Sequence, residues 1–148
     1  MGRRNGKRIA LEQEVYIALL RTAGDLERGA VELLKAFDMS PAQYNVLRIL
    51  RGAGPDGATC GNVSGRLLRH DPDVTRLLDR LEKRGLVSRS RDALDRRVVR
   101  TRITEAGLKL LAELAEPVEE LHRRQLGHLS EASLAALRDL ADSARGQG

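Results

Sequence analysis

At 148 residues, 41 % hydrophobic and 32 % charged, the chain is one domain's worth and long enough to bury a core. A single cysteine excludes an internal disulfide and suits a reducing cytosol, and no apolar run approaches the ~20 residues of a membrane span. The net charge of +5 suggests a polyanionic partner without saying which one, and with only Tyr16, Phe37 and Tyr44 aromatic the core must come from Leu, Val, Ile and Ala, which suits packed helices.

Residues 1–8 hold Arg3, Arg4, Lys7 and Arg8 and no apolar anchor, so a basic flexible tail is expected. No uninterrupted apolar stretch follows it, as a secretory signal would require, and the cytoplasm is the expected compartment. Leu11, Val15, Leu19, Ala23, Leu26, Ala30, Leu33 and Leu34 recur at three- and four-residue steps and predict one long helix over 9–37. Ser40, Pro41 and Gln43 then read as cap, first helical position and capping box of a second helix carrying Val46, Leu47, Ile49 and Leu50. Residues 52–57 are loop. Thr59 can cap a third helix reaching about Leu68, weakened by Gly61 and Gly65 at about 1 kcal/mol each.

Asp71-Pro72 opens a fourth helix by the same cap-and-proline logic, with Val74, Leu77, Leu78 and Leu81 on its buried stripe and Gly85 as its left-handed stop. Residues 86–90 and 97–103 alternate as two strands around a short charged loop, which is a β-hairpin. Thr104 caps a long helix in which Pro117 should make a kink, and Ser130 caps the last, striped by Leu134, Leu137, Leu140, Ala141 and Ala144. The first and the two last helices carry more apolar stripe than one small core can cover, so a homodimer is expected.

The charge is concentrated. Residues 66–102 contain twelve Lys/Arg and six Asp/Glu, a net of +6 out of +5, so the rest of the chain nets −1. The fourth helix, burying its leucines, presents Thr75, Arg76, Asp79 and Arg80 outward, with Arg76 and Arg80 four apart on one face. Such a helix fits the major groove of DNA. The hairpin adds Arg89, Arg91, Arg96, Arg97, Arg100 and Arg102, whose guanidinium groups suit phosphates and a narrow minor groove. Short helix, turn, amphipathic helix and charged hairpin together read as a winged helix-turn-helix, in a mainly α fold with a small β-hairpin wing.

The string Val74-Thr75-Arg76-Leu77-Leu78-Asp79-Arg80-Leu81-Glu82-Lys83-Arg84-Gly85-Leu86-Val87, then Arg89, Asp95-Arg96-Arg97 and Ile103-Thr104-Glu105-Ala106-Gly107, resembles the MarR family of regulators over nearly the whole chain. The resemblance implies a DNA-binding part over 40–103 and dimerisation helices over 9–37 and 104–146. It also implies a homodimer on a near-palindromic stretch of double-stranded DNA, often repressing and often released by a small-molecule effector. In the family's wing, the residue matching Asp95 orients the one matching Arg97, which enters the minor groove. The candidate DNA-contacting set is therefore Thr75, Arg76, Arg80, Arg89, Arg91, Asp95, Arg96 and Arg97.

Asp73 departs from the small polar or basic residues usual in relatives. It can accept from a cytosine amino group or, the favoured reading, stabilise the helix N-terminus. Cys60 is expected to be a buried structural residue rather than a redox switch, because the resemblance puts the reactive cysteine of peroxide sensors in the first helix. Tyr16, Phe37 and Tyr44 are either core, which is favoured, or the lining of a ligand cleft. His70, His122 and His128 do not combine with carboxylates at metal-ligand spacing, and no phosphate loop or nucleophile–base pair is present, so neither a metal, nor another cofactor, nor an enzyme activity is expected. The rival reading is a winged-helix module that binds protein partners or DNA without sequence preference.

Overall fold

The computed structural model describes residues 9–146. The expected basic tail at 1–8 lies outside the described residues. The first helix, α1 (Leu11–Lys35), is shorter than expected by two residues at each end. It stops because the chain turns back on itself: Asp38 takes a left-handed φ of 53°, and the Met39 N–H donates to the Leu34 carbonyl at 3.1 Å. Met39 is thereby driven into the core.

Helix α2 (Pro41–Ala53) starts as its sequence dictates. Ser40 Oγ accepts from the Gln43 N–H at 3.1 Å, and Gln43 Oε1 accepts from the Ser40 N–H at 3.0 Å. Val46, Leu47 and Leu50 on this helix are completely buried and form the centre of the core, together with Val63, Leu81 and Leu114. A 3-10 turn, Gly54–Asp56, leads to Ala58, which pairs with Thr101 through reciprocal backbone bonds of 2.9 and 2.8 Å. This bridge ties the loop after α2 to the hairpin. Gly57 permits it: φ is +68°, and a Cβ there would collide with the Thr101 carbonyl.

Helix α3 (Cys60–Arg66) is capped by Thr59, with Asn62 closing the box, and ends two residues earlier than expected. Helix α4 (Val74–Lys83) corrects the expected start at Asp71-Pro72. Asp73 is the cap, its Oδ1 accepting from the Arg76 N–H at 3.0 Å, whereas Asp71 Oδ1 accepts from the Asp73 N–H at 2.8 Å and shapes the preceding turn. Gly85, at φ +73°, ends α4 as predicted, and the Leu86 N–H returns to the Leu81 carbonyl at 3.0 Å.

Strands β1 (Val87–Arg91) and β2 (Val99–Ile103) pair antiparallel, Val87 opposite Ile103 and Arg91 opposite Val99. Two strands alone are marginal in water. Here Val87 and Thr101 are buried on the helices, and Ala58 pairs along the other edge of β2. Helix α5 (Glu105–Leu126) follows Thr104, whose Oγ1 accepts from the Gly107 N–H and donates to the Gly85 carbonyl. Pro117 lies inside α5 without ending it. Helix α6 (Glu131–Arg145) is capped by Ser130.

Helix α5 packs along the C-terminal half of α1, where Gln125 Nε2 donates to the Leu26 carbonyl at 3.1 Å beside Gly29. The N-terminal half of α1 and all of α6 lack such cover: Leu11 and Leu140 are each 70 % exposed, and α6 contributes no buried residue. Tyr16, expected in the core, is exposed on α1, while Phe37 and Tyr44 do pack against the core.

Candidate nucleic-acid interface

The outward face of α4 follows from its inward one. With Val74, Leu78 and Leu81 buried, the 3.6-residue period turns Thr75, Arg76 and Arg80 to solvent, and all three are exposed. Among the described residues, neither Arg76 nor Arg80 has an ion-pair partner; the pairs of the region are made by Arg89, Arg97 and Arg100. Helix α3 lies against α4, with Cys60 Sγ 3.8 Å from Thr75 Oγ1. Cys60 is exposed, which corrects the expectation of a buried thiol: the seven-residue α3 buries only Val63 fully and leaves its first residue at the surface.

The hairpin tip is closed by its own polar groups. The Asp92 N–H donates to the Val98 carbonyl at 2.8 Å, and the Val98 N–H to the Asp95 carbonyl at 3.0 Å. Asp95 grips Arg97 three times: Oδ1 accepts from the backbone N–H at 3.1 Å and from Nε at 3.1 Å, and Oδ2 from Nη2 at 3.2 Å. This bidentate clasp fixes the guanidinium while leaving the Arg97 side chain 91 % exposed. The Arg97 side-chain bonds, then its backbone N–H, hold the Asp95 carboxyl below its ordinary range. Arg91 Nη1 donates to the Arg96 carbonyl at 2.8 Å, and Arg96 itself is exposed.

Three further hairpin arginines are engaged inside the chain. Arg100 Nε faces Asp92 Oδ1 at 3.6 Å, and Arg102 donates to the Pro55 carbonyl and to Ser90 Oγ. Arg89 reaches back to α4: its Nη2 contacts Glu82 Oε1 at 2.9 Å and also Asp79 Oδ1, and its backbone N–H donates to Glu82 Oε2 at 3.1 Å. The hydrogen bond to Arg89 holds the Glu82 carboxyl below its ordinary value, and the same contact raises the Arg89 guanidinium above its own. Of the eight candidate residues, Thr75, Arg76 and Arg80 thus lie exposed on α4. Arg91, Asp95, Arg96 and Arg97 form the wing tip, and Arg89 spans the two elements.

Sequence reasoning missed Arg84. Its guanidinium donates to the Phe37 and Asp38 carbonyls and contacts Met39 Sδ, and so pins the turn after α1 to the end of α4. Its place in the last turn of a helix, where cations are favoured, was the only signal. Beside it, Lys35, Ser40, Leu77, Arg80 and Lys83 line a groove of about 540 Å³ between the end of α1 and α4. His70, His122 and His128 are exposed, and among the described residues no group of His, Cys, Asp or Glu is placed to hold a metal ion. No helix among them is long and apolar enough to cross a membrane.

The sequence model of the MarR family matches residues 39–99. A solved structure, a MarR transcription factor from Planctomyces limnophilus, is 44 % identical, with a TM-score of 0.72 over 92 % of this chain and 98 % of that one. The HTH-type transcriptional regulator FarR of Neisseria gonorrhoeae is 32 % identical over 85 % of this chain and 85 % of its own length. The HTH-type transcriptional repressor IacR of Pseudomonas putida is 29 % identical over 80 % of this chain and 70 % of its own length.

Proposed function

The chain belongs to the MarR family of DNA-binding transcriptional regulators, and from that premise we propose that it is a cytoplasmic homodimeric repressor that binds a pseudo-palindromic operator and is released by a small-molecule effector. The observation that carries the reading is the pairing of two DNA-suited surfaces. One is a helix face with exposed Arg76 and Arg80, which have no ion-pair partner among the described residues, the other a wing tip whose Arg97 is held by Asp95.

In this reading Thr75, Arg76 and Arg80 meet base edges and phosphates in the major groove. Arg91, Arg96 and Arg97 serve the adjacent minor groove and its phosphates, with Asp95 as the orienting group. Arg89 stands apart from the other candidates: held by Asp79 and Glu82, it sets the angle between wing and α4 rather than meeting a phosphate. The exposed leucines of α1 and α6 supply the dimer contact, which sets two recognition helices about one turn of DNA apart, roughly 34 Å. The groove bordered by Lys35, Arg80 and Lys83 supports an anionic effector, because an anion there competes with DNA for Arg80. Similarity to a repressor, IacR, supports the sign of regulation.

Selection of bound sites from a random duplex pool, in the presence of competitor DNA, tests the reading. Enrichment of a pseudo-palindrome is expected. A protein that retains DNA equally whatever its sequence would instead be a non-specific DNA binder.

A further inference from the structure

Leu94 stands at the tip of the wing with 96 % of its surface exposed, so it has almost no contact inside the chain. The turn that carries it is closed by the Asp92–Val98 and Asp95–Val98 backbone bonds, by the Asp95–Arg97 clasp and by the Arg91 bond to the Arg96 carbonyl. A leucine on a loose loop could collapse onto a neighbour. This one is held in water by a turn closed by its own hydrogen bonds. Arg91, Arg96 and Arg97 surround it within three residues on either side.

An apolar tip ringed by guanidinium groups is poorly matched to an apolar cleft on another protein, where the charges would lose their water. It is well matched to a DNA minor groove. There the cations face phosphates on both strands, and an apolar side chain can press on sugars and between base pairs. We propose that Leu94 is a wedge: when Arg97 reaches the minor groove, Leu94 presses into the stack beside it. It thereby adds a preference for base steps that open easily. The proposal rests on the DNA-binding reading of the wing. It assigns specificity to a residue that makes no hydrogen bond, by the cost of deforming the DNA. Pyrimidine–purine steps such as TpA unstack most readily, and A-tracts resist.

The full chain, as wild type and as Leu94→Ala, is titrated onto two duplexes of equal length and composition that carry the operator selected from the random pool and differ only where the wing tips lie, one with TpA steps there and one with A-tracts. A third duplex carries 2-aminopurine at a TpA step. Because Leu94 is exposed, Leu94→Ala should leave the melting temperature unchanged. The expected result is that the TpA-over-A-tract preference falls by up to about ten-fold in the variant, the scale of one partly buried leucine. The salt dependence stays the same, since leucine releases no counterion. Wild type should also brighten the 2-aminopurine as the step unstacks, and the variant should not. An unchanged preference overturns the wedge, and so does an equal loss on both duplexes, which would mark Leu94 as a general contact. A random pool that yields no bound site removes the DNA reading and the wedge with it. A failure confined to the variant's preference leaves the DNA reading standing.

Discussion

Replacing Arg89 with methionine separates the two roles an arginine in the wing can have. The Arg89 side chain is 24 % exposed and its guanidinium lies between Asp79 and Glu82, whose side chains are 47 % and 39 % exposed. Methionine keeps the aliphatic stem and the backbone bond to Glu82, and removes only the charged contacts. Neither carboxylate is stranded without water, so the loss is that of a surface ion pair and not of a buried one. For a chain of this length that means no more than about 3 °C in Tm. The DNA assay is more discriminating. An arginine that neutralises a phosphate releases a counterion, and losing it flattens the plot of log affinity against log salt by about 0.9 for each contact. An arginine that only sets the wing angle leaves that slope alone and lowers affinity equally at every salt concentration. Operator titration of Arg89→Met across a salt series should therefore show weaker binding with the wild-type slope. A slope reduced by about one per protomer refutes the reasoning.

Acid melting supplies a second check on the same pair. Arg89 depresses the Glu82 carboxyl below its ordinary 4.5, so the folded chain binds fewer protons there than the unfolded one. The stabilisation is full above 4.5 and is lost as pH falls through the lower folded value. The Tm difference between wild type and Arg89→Met should be constant near neutrality and shrink below pH 4.5.

Asp73→Ala removes the cap of α4 and should cost about 1 kcal/mol, read by thermal or denaturant melting, with the preferred operator unchanged. A changed base preference would reinstate Asp73 as a reader of DNA. Sedimentation at micromolar concentration should give twice 16.3 kDa, and Leu140→Glu on the uncovered face of α6 should shift the chain toward monomer; a wild-type mass near 16.3 kDa contradicts the dimer. Asp95→Ala deletes a negative charge beside a polyanion yet should weaken operator binding at fixed salt, because it releases the Arg97 clasp; tighter binding would reduce the wing to a diffuse basic patch.

Which features could be read from the sequence follows from the range of the forces involved. The caps at Ser40, Thr59, Thr104 and Ser130 act within three residues, and so does the Gly85 stop, so sequence alone located them. At Asp71-Pro72-Asp73 the same local rule was ambiguous, since either aspartate can cap. The choice fell to Asp73 once Asp71 bonded its backbone. The first strand starts one residue later than its alternation suggests because Leu86 is taken up by the C-terminal turn of α4. The Ala58–Thr101 bridge has no periodicity to betray it, being a single pair between distant segments. Cys60 looked apolar enough to bury, but its helix is too short to cover its own first residue. Arg84 and Arg89 were the hardest: a count of charges cannot tell an arginine that faces solvent from one that bonds a carbonyl or carboxylate brought close only by folding.

That last point changes what the basic segment means. Six acids among twelve cations over 66–102 look like a dilution of the positive field, and a DNA-binding surface gains nothing from dilution. Each acid, however, has a local task. Asp71 shapes the turn before α4 and Asp73 caps it. Asp79 and Glu82 hold Arg89, Asp92 faces Arg100, and Asp95 clasps Arg97. A guanidinium on a free side chain would have to be ordered when DNA arrives, at an entropic cost for every rotamer lost. In the proposed reading Arg97, already gripped by Asp95, meets the DNA with its geometry set, while Arg89, gripped by Asp79 and Glu82, holds the wing to α4. In that reading the acids lower the net charge of the proposed interface and raise its order, exchanging some non-specific attraction for geometry. This predicts that substituting the acids as a group would strengthen binding to arbitrary DNA at low salt while narrowing the margin by which the operator is preferred.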